Sequence, residues 1–291
     1  MPETVPSCPL CGSESSTPFD QRTFRGLPVT NCLCGTCGLV YQSPRMTEAE
    51  LSVFYKVEYR RLYQGDATPG GKDLAIQEGR AAALLAFCKE RLPGVTSHLD
   101  IGCSAGLLLQ RFQQAYGCKP VGLEPGDAYR EYARGQGLVV YATLEELRGE
   151  HTGQFDLISM AHVLEHLPDP VGYLINLREE LLAPESWLLL EVPNLFAHDS
   201  FEVAHLVSYS AHTLSQVLGK AGYELKVIEA HGRPRSRLLP LYLTALARPV
   251  ADPAPGAIVP DSGVRFKRWR GMFRRRLLER LLPWLAWLPV K

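Results

Sequence analysis

The sequence predicts an α/β fold in which a parallel sheet is covered by helices on both faces. Between residues 75 and 248, short apolar segments with strand character alternate with longer helical segments, which is typical of parallel sheets. A glycine-rich turn after the first of these strands, at residues 98–106, fits the same architecture. Two Cys-x-x-Cys pairs before residue 40 predict a small metal-binding module ahead of the sheet. At 291 residues the chain can hold one large and one small domain.

The glycine-rich turn is the first candidate ligand site. Residues 98–101 read as a buried strand that ends at Gly102, and a helix begins after Gly106. Glycines let a ligand approach the main chain, and the new helix directs unsatisfied N–H groups into the turn. About twenty residues later, Glu124 follows a second apolar run, where an acid can accept hydrogen bonds from both ribose hydroxyls. The turn predicts a nucleoside site; the alternative is a plain strand-to-helix connection.

The order of residues in this turn distinguishes two kinds of nucleoside site. The turn reads Asp-x-Gly-x-Ser-x-Gly from Asp100 to Gly106 and lacks the Gly-x-Gly-x-x-Gly pattern that binds a pyrophosphate, which argues against an NAD-dependent dehydrogenase. Asp100 would repel phosphates but suits a ligand with an ammonium and a sulfonium group. The segment resembles the Asp-x-Gly-x-Gly-x-Gly motif of class I S-adenosylmethionine-dependent methyltransferases, with Ser104 at the middle glycine. That resemblance implies a Rossmann-like methyltransferase sheet that binds S-adenosylmethionine.

The resemblance extends along the chain. Residues 155–167 look like the methyltransferase motif after the fourth strand, and residues 181–194 resemble the segment leading into the fifth. With its cysteine pairs, the chain is similar to the zinc-ribbon methyltransferases related to the sugar C-methyltransferases. Ligands of parallel sheets bind beyond the carboxyl ends of the strands, so these segments are expected at one edge. The implied cofactor-binding residues are Asp100, Gly102, Cys103, Ser104, Gly106, Glu124, Pro125, Ala161 and His162.

A competing motif overlaps the loop after the fourth strand. The stretch from His162 to His166 matches the His-x-x-Glu-His of inverted zinc peptidases. That site needs both histidines on one helical face, whereas Pro168 and Pro170 interrupt a helix almost at once. We therefore expect His162 to offer backbone contacts to the cofactor, and His166 either to cap structure or to face the substrate.

A general base would add rate if the methyl acceptor is a hydroxyl or a carbon acid, and histidine suits neutral pH. The candidates beyond the predicted fifth strand are His198, His205 and His212. Residues 202–210 resemble the Tyr-x-Glu-His-x-x-Tyr segment of the sugar C-methyltransferases, whose histidine is the base, and His205 falls on that histidine. Because Glu202 replaces the tyrosine and Ala204 the glutamate, C-, O- and N-methylation all stay open. The catalytic candidates are His205 and His166, with pocket-lining or structural roles as the alternatives for His205.

The N-terminal module, residues 1–45, carries a strong zinc signal. Each Cys-x-x-Cys pair is followed by glycine, and such a knuckle holds two thiolates on one side of a tight turn. Four thiolates complete a closed tetrahedral site, which is structural because no coordination position remains for substrate. Zinc binding would supply the folding free energy of so small a module. The predicted zinc ligands are Cys8, Cys11, Cys34 and Cys37; Cys32 could replace Cys34, and redox cysteines without metal are the alternative.

Residues 46–74 predict a helix that follows the ribbon. Thr47 and Glu50 have the spacing of a capping box at a helix start. Tyrosine recurs beyond it at every fourth position, which places the rings on one helical face, at Tyr55, Tyr59 and Tyr63. These rings either pack on the core or form an aromatic lid over the cofactor or substrate.

Charge is distributed unevenly along the chain, with an excess of positive charge in the C-terminal part. Residues 265–291 contain nine Lys and Arg and one acid, Glu279, whereas the whole chain has zero net charge. A proline-rich linker, residues 249–264, precedes this tail, whose large apolar residues follow helical spacing. A basic helix with tryptophans on its apolar face fits a membrane interface. Docking on the acidic body or a partner subunit, and binding to nucleic acid, are the alternatives.

These observations lead to two functional hypotheses. The first is an S-adenosylmethionine-dependent methyltransferase that acts on a small molecule, a sugar or a glycan. The second is a non-catalytic or nucleic-acid-binding protein that keeps the fold; only Arg22 and Arg25 are basic between the two cysteine pairs, which is no basic stripe. The N-terminus lacks the pattern of a signal peptide, and no apolar run reaches the roughly 18 residues of a membrane span. We expect a cytoplasmic protein whose tail is a candidate for peripheral membrane contact.

Overall fold

The computed structural model describes residues 2–54, 68–253 and 256–289. The strands in these ranges are β1 (Ser16–Phe24), β2 (Leu27–Cys34), β3 (Val40–Gln42), β4 (Ser97–Ile101), β5 (Lys119–Leu123), β6 (Val139–Tyr141), β7 (Phe155–Ala161), β8 (Leu182–Pro193), β9 (Val207–Ser208), β10 (Tyr223–His231) and β11 (Tyr242–Pro249). The α-helices there are α1 (Glu48–Val53), α2 (Gly71–Lys89), α3 (Leu107–Tyr116), α4 (Asp127–Gly135), α5 (Leu144–Glu150), α6 (Pro170–Glu180), α7 (Ala211–Lys220), α8 (Val264–Leu281) and α9 (Pro283–Ala286).

A seven-stranded sheet forms the body of the protein, in the order β10-β11-β8-β7-β4-β5-β6. The five strands from β8 to β6 run parallel, and β11 and β10 join β8 in antiparallel orientation. The predicted α/β architecture is therefore confirmed. Because the parallel strands share a direction, the loops that follow β4, β5, β7 and β8 all leave from one edge of the sheet.

Capping residues set several of the helix starts. Thr47 and Glu50 form the predicted capping box of α1, and the Thr143 side chain accepts the Glu146 N–H at the start of α5. The fifth parallel strand, β8, begins at Leu182, within the segment 181–194 that resembles the approach to the fifth methyltransferase strand. Leu182 pairs with Phe155 before an irregularity in β7, and this contact between strands lengthens β8. The tyrosines at 55, 59 and 63 lie outside the described residues.

The N-terminal module forms a second, antiparallel sheet in the order β1-β2-β3-β9. Its hairpin turns at Arg25 and Gly26, which both have positive φ (50° and 86°). The last strand, β9, belongs to the segment after β8, and it pairs Val207 with Tyr41 of β3. Backbone hydrogen bonds thus join the ribbon directly to the chain that follows the fifth parallel strand.

Three cysteines are buried in the body and pack as small apolar residues: Cys88, Cys103 and Cys118. No helix in the described ranges is long and apolar enough to cross a membrane.

The C-terminal helix α8 is docked on the loop that follows β8. The buried Arg268 guanidinium donates hydrogen bonds to the carbonyls of Leu195 (2.5 Å) and His198 (2.6 Å). Gly271 permits this contact, because a Cβ there would lie 1.8 Å from the carbonyl oxygen of Phe196. One face of the helix is therefore held against the body.

The substitution Gly271→Ala tests this docking. Alanine in a helix normally stabilises by about 0.4–1 kcal/mol relative to glycine, but here its methyl group would collide with main chain, so we expect a loss of about 1–3 kcal/mol. The control is Gly219→Ala in α7, where an added Cβ meets nothing within 4 Å and the normal gain is expected. Urea unfolding of both variants measures the difference, and equal stabilisation of both would contradict the docked position.

Candidate active site

A cavity of about 470 Å³ opens at the carboxyl edge of the parallel strands. Its size lies within the range usual for small-molecule sites. The turn after β4 and the ends of β5 and β7 contribute to its wall, and so does α2. Eight of the nine predicted cofactor-binding residues line it, namely Asp100, Gly102, Cys103, Ser104, Glu124, Pro125, Ala161 and His162.

The ninth residue, Gly106, lies behind the turn and does not line the cavity. It starts α3 with a φ of 80°, and a Cβ there would lie 2.2 Å from Leu138. Its predicted contact with the cofactor is therefore replaced by a packing role. Gly102, by contrast, lines the cavity with a φ of 74°, and a Cβ would lie 2.6 Å from Val163. Ser104 also has a positive φ (52°), a conformation uncommon outside glycine.

The Glu124 carboxylate joins the two loops that border the cavity. It is buried, and it accepts the N–H groups of Ser104 (2.9 Å) and Gly126 (2.8 Å). A carboxylate has about four acceptor sites, so it can also accept ribose hydroxyls while holding the turn. This position agrees with the role that the sequence predicted.

The Asp100 carboxyl is buried at the base of the turn. It accepts a hydrogen bond from the Ser159 hydroxyl (2.6 Å), which in turn lies 2.7 Å from Nε2 of His98. Burial raises the pKa of Asp100 to about 7. A cation in the cavity would favour the ionised carboxylate, so the site suits a positively charged ligand. His98 and Ser159 were not predicted as site residues; both are fully buried polar side chains on neighbouring strands.

The His162 imidazole lies between two buried carboxylates. Nδ1 is 3.3 Å from Glu165 and Nε2 is 3.2 Å from Glu191. Burial and the charge of Arg80 oppose protonation, but the hydrogen bonds to both carboxylates prevail and raise the pKa of His162. The backbone N–H of His162 donates to the Glu191 carbonyl (2.8 Å). The backbone group of His162 left for the predicted cofactor contact is therefore its own carbonyl.

Glu191 was not identified from the sequence, although it organises one side of the site. Its fully buried carboxylate is 3.0 Å from Arg80 and 3.4 Å from His231, and it accepts the Thr244 hydroxyl (3.2 Å). Burial alone would raise its pKa, but hydrogen bonds from His162 and His231 and the charge of Arg80 lower it. An acid directly after the three buried leucines at 188–190 of β8 was the available signal, whereas its partners come from distant positions.

The two predicted catalytic histidines are in contact. The rings of His166 and His205 have centroids 4.8 Å apart and meet edge to face. Each Nδ1 faces a carbonyl, of Ala204 for His166 (2.8 Å) and of Ser200 for His205 (2.7 Å). A carbonyl only accepts, so each Nδ1 carries the proton and Nε2 is the basic nitrogen.

Glu165 completes this cluster. Its carboxylate is buried, and one ligand atom from each of Glu165, His166 and His205 lies within 4.8 Å of the others. Burial lowers the pKa of His166 to about 4 and also lowers that of His205. Burial opposes ionisation of Glu165, but the hydrogen bond from His162 and the nearby histidine charges lower its pKa to about 2. Such a group can share a proton or bind a divalent cation.

The structure places the candidate histidines differently. His166 lines the cavity, whereas His205 is not among its lining residues and lies behind His166. His212 lies at the start of α7, where its Nε2 is 2.8 Å from the carbonyl oxygen of Val259, and it is not part of the site. His198 packs beside the ring of Tyr242, with centroids 5.7 Å apart.

The four cysteines of the predicted zinc site come together. Sγ of Cys8 is 3.5 Å from that of Cys37, and Sγ of Cys11 is 3.5 Å from that of Cys34. Tetrahedral Zn–S bonds of about 2.3 Å would separate two sulfurs by about 3.8 Å, so the group fits a zinc ion. Cys32 lies apart, with its thiol 3.8 Å from the carbonyl of Ser43.

The family model of a methyltransferase domain matches residues 74–227. The chain belongs to this methyltransferase family. It is 31% identical over 139 residues to the ubiquinone biosynthesis O-methyltransferase of Haemophilus ducreyi, which covers 44% of this chain and 56% of that protein. It is 33% identical over 114 residues to the dTDP-4-amino-2,3,4,6-tetradeoxy-D-glucose N,N-dimethyltransferase of Saccharopolyspora spinosa. That match covers 39% of this chain and 44% of that protein.

The chain spans about half the length of these curated relatives. Among solved structures, it is similar to an S-adenosylmethionine-dependent methyltransferase from Archaeoglobus fulgidus, with a TM-score of 0.50 and 17% identity, covering 65% of this chain and 97% of that one. That likeness concerns the fold alone. The predicted enzyme class is thus confirmed for the methyltransferase domain, and the acceptors of these relatives differ from one another.

Proposed function

We propose that the protein transfers a methyl group from S-adenosylmethionine to a small molecule of the sugar or glycan class. The observation that carries the proposal is the pair of buried acids, Asp100 and Glu124, beside a glycine-rich turn in a domain of this family. The sugar N,N-dimethyltransferase among the relatives supports a sugar acceptor, whereas the ubiquinone biosynthesis O-methyltransferases keep an acceptor of that biosynthesis open. Both O- and N-methylation fit the site.

The side chains that line the cavity fit the proposed cofactor. Glu124 would accept the ribose hydroxyls, and Asp100 would face the positively charged end. Gly102 lines the cavity without a side chain, which lets a ligand approach the main chain of the turn. When bound, S-adenosylmethionine supplies an electrophilic methyl group on a sulfonium; the protein's task is to align the acceptor with that carbon and exclude water.

Glu124→Ala tests the cofactor site. We expect the affinity for S-adenosylmethionine to fall about 10- to 100-fold, because charge-assisted hydrogen bonds to the ribose are lost. Isothermal titration measures it, and Glu131→Ala, which removes an exposed acid in α4, is the matched control. A wild-type protein that binds RNA but no S-adenosylmethionine would favour the nucleic-acid hypothesis and overturn this one.

We infer that His166 is the general base of the reaction. It lines the cavity, its Nδ1–H is held by a carbonyl, and its lowered pKa keeps it neutral at pH 7. Nε2 would accept the proton of a hydroxyl or amine as the methyl group is transferred. His205 and Glu165 lie next to it, so Glu165 would stabilise the imidazolium that forms.

Asparagine at either histidine tests this assignment. His166→Asn should lower kcat about 10²- to 10⁴-fold with little change in cofactor affinity, and His205→Asn should lower it less. Because burial lowers both pKa values, kcat at saturating S-adenosylmethionine should not show the decline near pH 6.5 that an ordinary histidine base would cause.

The control for these variants is His212→Asn, outside the cavity, which should retain wild-type kcat. Unchanged kcat in His166→Asn would contradict the assignment. A rate that depends on an added divalent cation, and loses that dependence in His166→Asn, would assign the cluster to metal binding instead.

We propose that the four-cysteine group holds one structural zinc ion. What supports this is the closeness of the sulfurs and the positive φ of Gly12 (75°) and Gly38 (80°), each directly after a knuckle. The ribbon also contacts the loop that carries His205: Gln42 donates its side-chain N–H to the Glu202 carbonyl (3.2 Å) and its backbone N–H to the Leu206 carbonyl (2.8 Å). Zinc would therefore stabilise the position of a catalytic candidate.

Metal analysis of the purified protein tests the zinc proposal. We expect about one zinc per chain in the wild type, less in Cys37→Ser, and the wild-type amount in Cys32→Ser, which removes the nearby thiol outside the group. In Cys37→Ser, kcat should fall more than cofactor affinity, since the ribbon contacts the His205 loop. Full zinc content in Cys37→Ser would refute the site.

A further inference from the structure

Helices α8 and α9 present a continuous apolar stripe to solvent. Successive members are three or four positions apart, so at roughly 100° per residue those of α8 lie along one face. Phe266, Trp269 and Phe273 stack in series, with successive centroids 5.8 Å apart. Exposed patches of this kind mark interaction sites. The stripe consists of side chains between 46% and 64% exposed: Phe266, Trp269, Phe273, Leu277, Leu281 and Trp284.

The contacts on the opposite face keep this stripe pointing outward. Arg268 and Gly271 hold α8 on the loop after β8, as described above, and Arg275 adds a hydrogen bond to the Ala197 carbonyl (3.2 Å). At the helix start, Arg265 donates to the carbonyl of Pro18 in β1 (2.5 Å). Turning the apolar face inward would break all of these hydrogen bonds and leave the carbonyls of the loop after β8 without their donors.

Cationic side chains border the stripe on both sides. In helical projection Arg270 and Arg274 flank one side, and Arg276 the other. The one acid of residues 265–291, Glu279, is bound by Arg275 (2.9 Å) and the Trp287 indole (3.1 Å) on the docked side. The surface thus combines exposed aromatic rings with positive charge.

We propose that α8 and α9 bind the surface of an anionic lipid bilayer. The apolar stripe would enter the boundary between headgroups and acyl chains, where tryptophan and phenylalanine partition well, and the flanking arginines would contact lipid phosphates. A second copy of the chain fits less well, because a two-fold contact would bring two cationic faces together. The inference does not depend on which acceptor is methylated.

Flotation of the full-length protein with lipid vesicles tests the proposal. We expect binding to vesicles of phosphatidylcholine mixed with phosphatidylglycerol, and at least tenfold weaker binding to phosphatidylcholine alone. Raising the ionic strength from about 0.1 M to about 1 M shortens the Debye length from about 10 Å to about 3 Å and should release much of the protein.

Two sets of variants identify the surface. The double variant Trp269→Ser/Phe273→Ser should lose at least tenfold in vesicle binding, and Arg270→Gln/Arg274→Gln should weaken binding and reduce its salt dependence. The matched control is Val139→Ser, which removes an exposed apolar side chain from the far edge of the large sheet and should bind like the wild type. Titration with S-adenosylmethionine checks independently that each variant is folded and separates this test from that of the methyltransferase proposal.

Three results would overturn the proposal. One is wild-type protein that does not float with anionic vesicles. Another is unchanged binding in the double variant. The third is a dimer in sedimentation velocity that Trp269→Ser/Phe273→Ser abolishes while no vesicle binding is seen, which would assign the stripe to a second copy of the chain.

Discussion

The hydrogen bond between Ser159 and Asp100 is the constraint on which the site depends. Parallel pairing of β4 with β7 places the two residues side by side, and with them the turn after β4. A slip of one residue would turn the Asp100 side chain to the other face of the sheet and leave a buried carboxyl without a partner. The register that gives Asp100 its hydrogen-bond partner therefore also sets the position of the glycine-rich turn. With it, that register sets where the Glu124 carboxylate accepts the Ser104 N–H.

Two histidines four positions apart have pKa values shifted in opposite directions. His162 contacts the carboxylates of Glu165 and Glu191, and its pKa is raised. His166 is buried against a carbonyl and another imidazole, and its pKa is lowered. Environments that separate the pKa values of neighbouring groups are characteristic of acid–base sites. One wall of the cavity thus carries a histidine whose protonated form is favoured by two carboxylates and another whose neutral form is favoured by burial.

Asp261 connects the peripheral parts of the protein. Its N–H donates to the Cys37 carbonyl of the ribbon (3.0 Å), and its carboxylate accepts the Ser210 hydroxyl (2.7 Å) and pairs with Lys267 of α8 (2.5 Å). Gly38 is required here, since a Cβ would lie 2.5 Å from the Asp261 carbonyl oxygen. The proline-rich segment before the C-terminal helix is therefore also a contact between ribbon, body and helix.

The sequence by itself determined the sheet, the glycine-rich turn with Asp100 and Glu124, and the four grouped cysteines, because each follows from local spacing. It also pointed to His166 and His205, though not to their contact. Only the tertiary structure decided that Gly106 packs on Leu138 instead of lining the cavity, that Glu191 binds Arg80 and His231, and that β9 joins the ribbon to the body. These features depend on contacts between residues far apart in the chain, and neither periodicity nor motif spacing records which distant side chains meet.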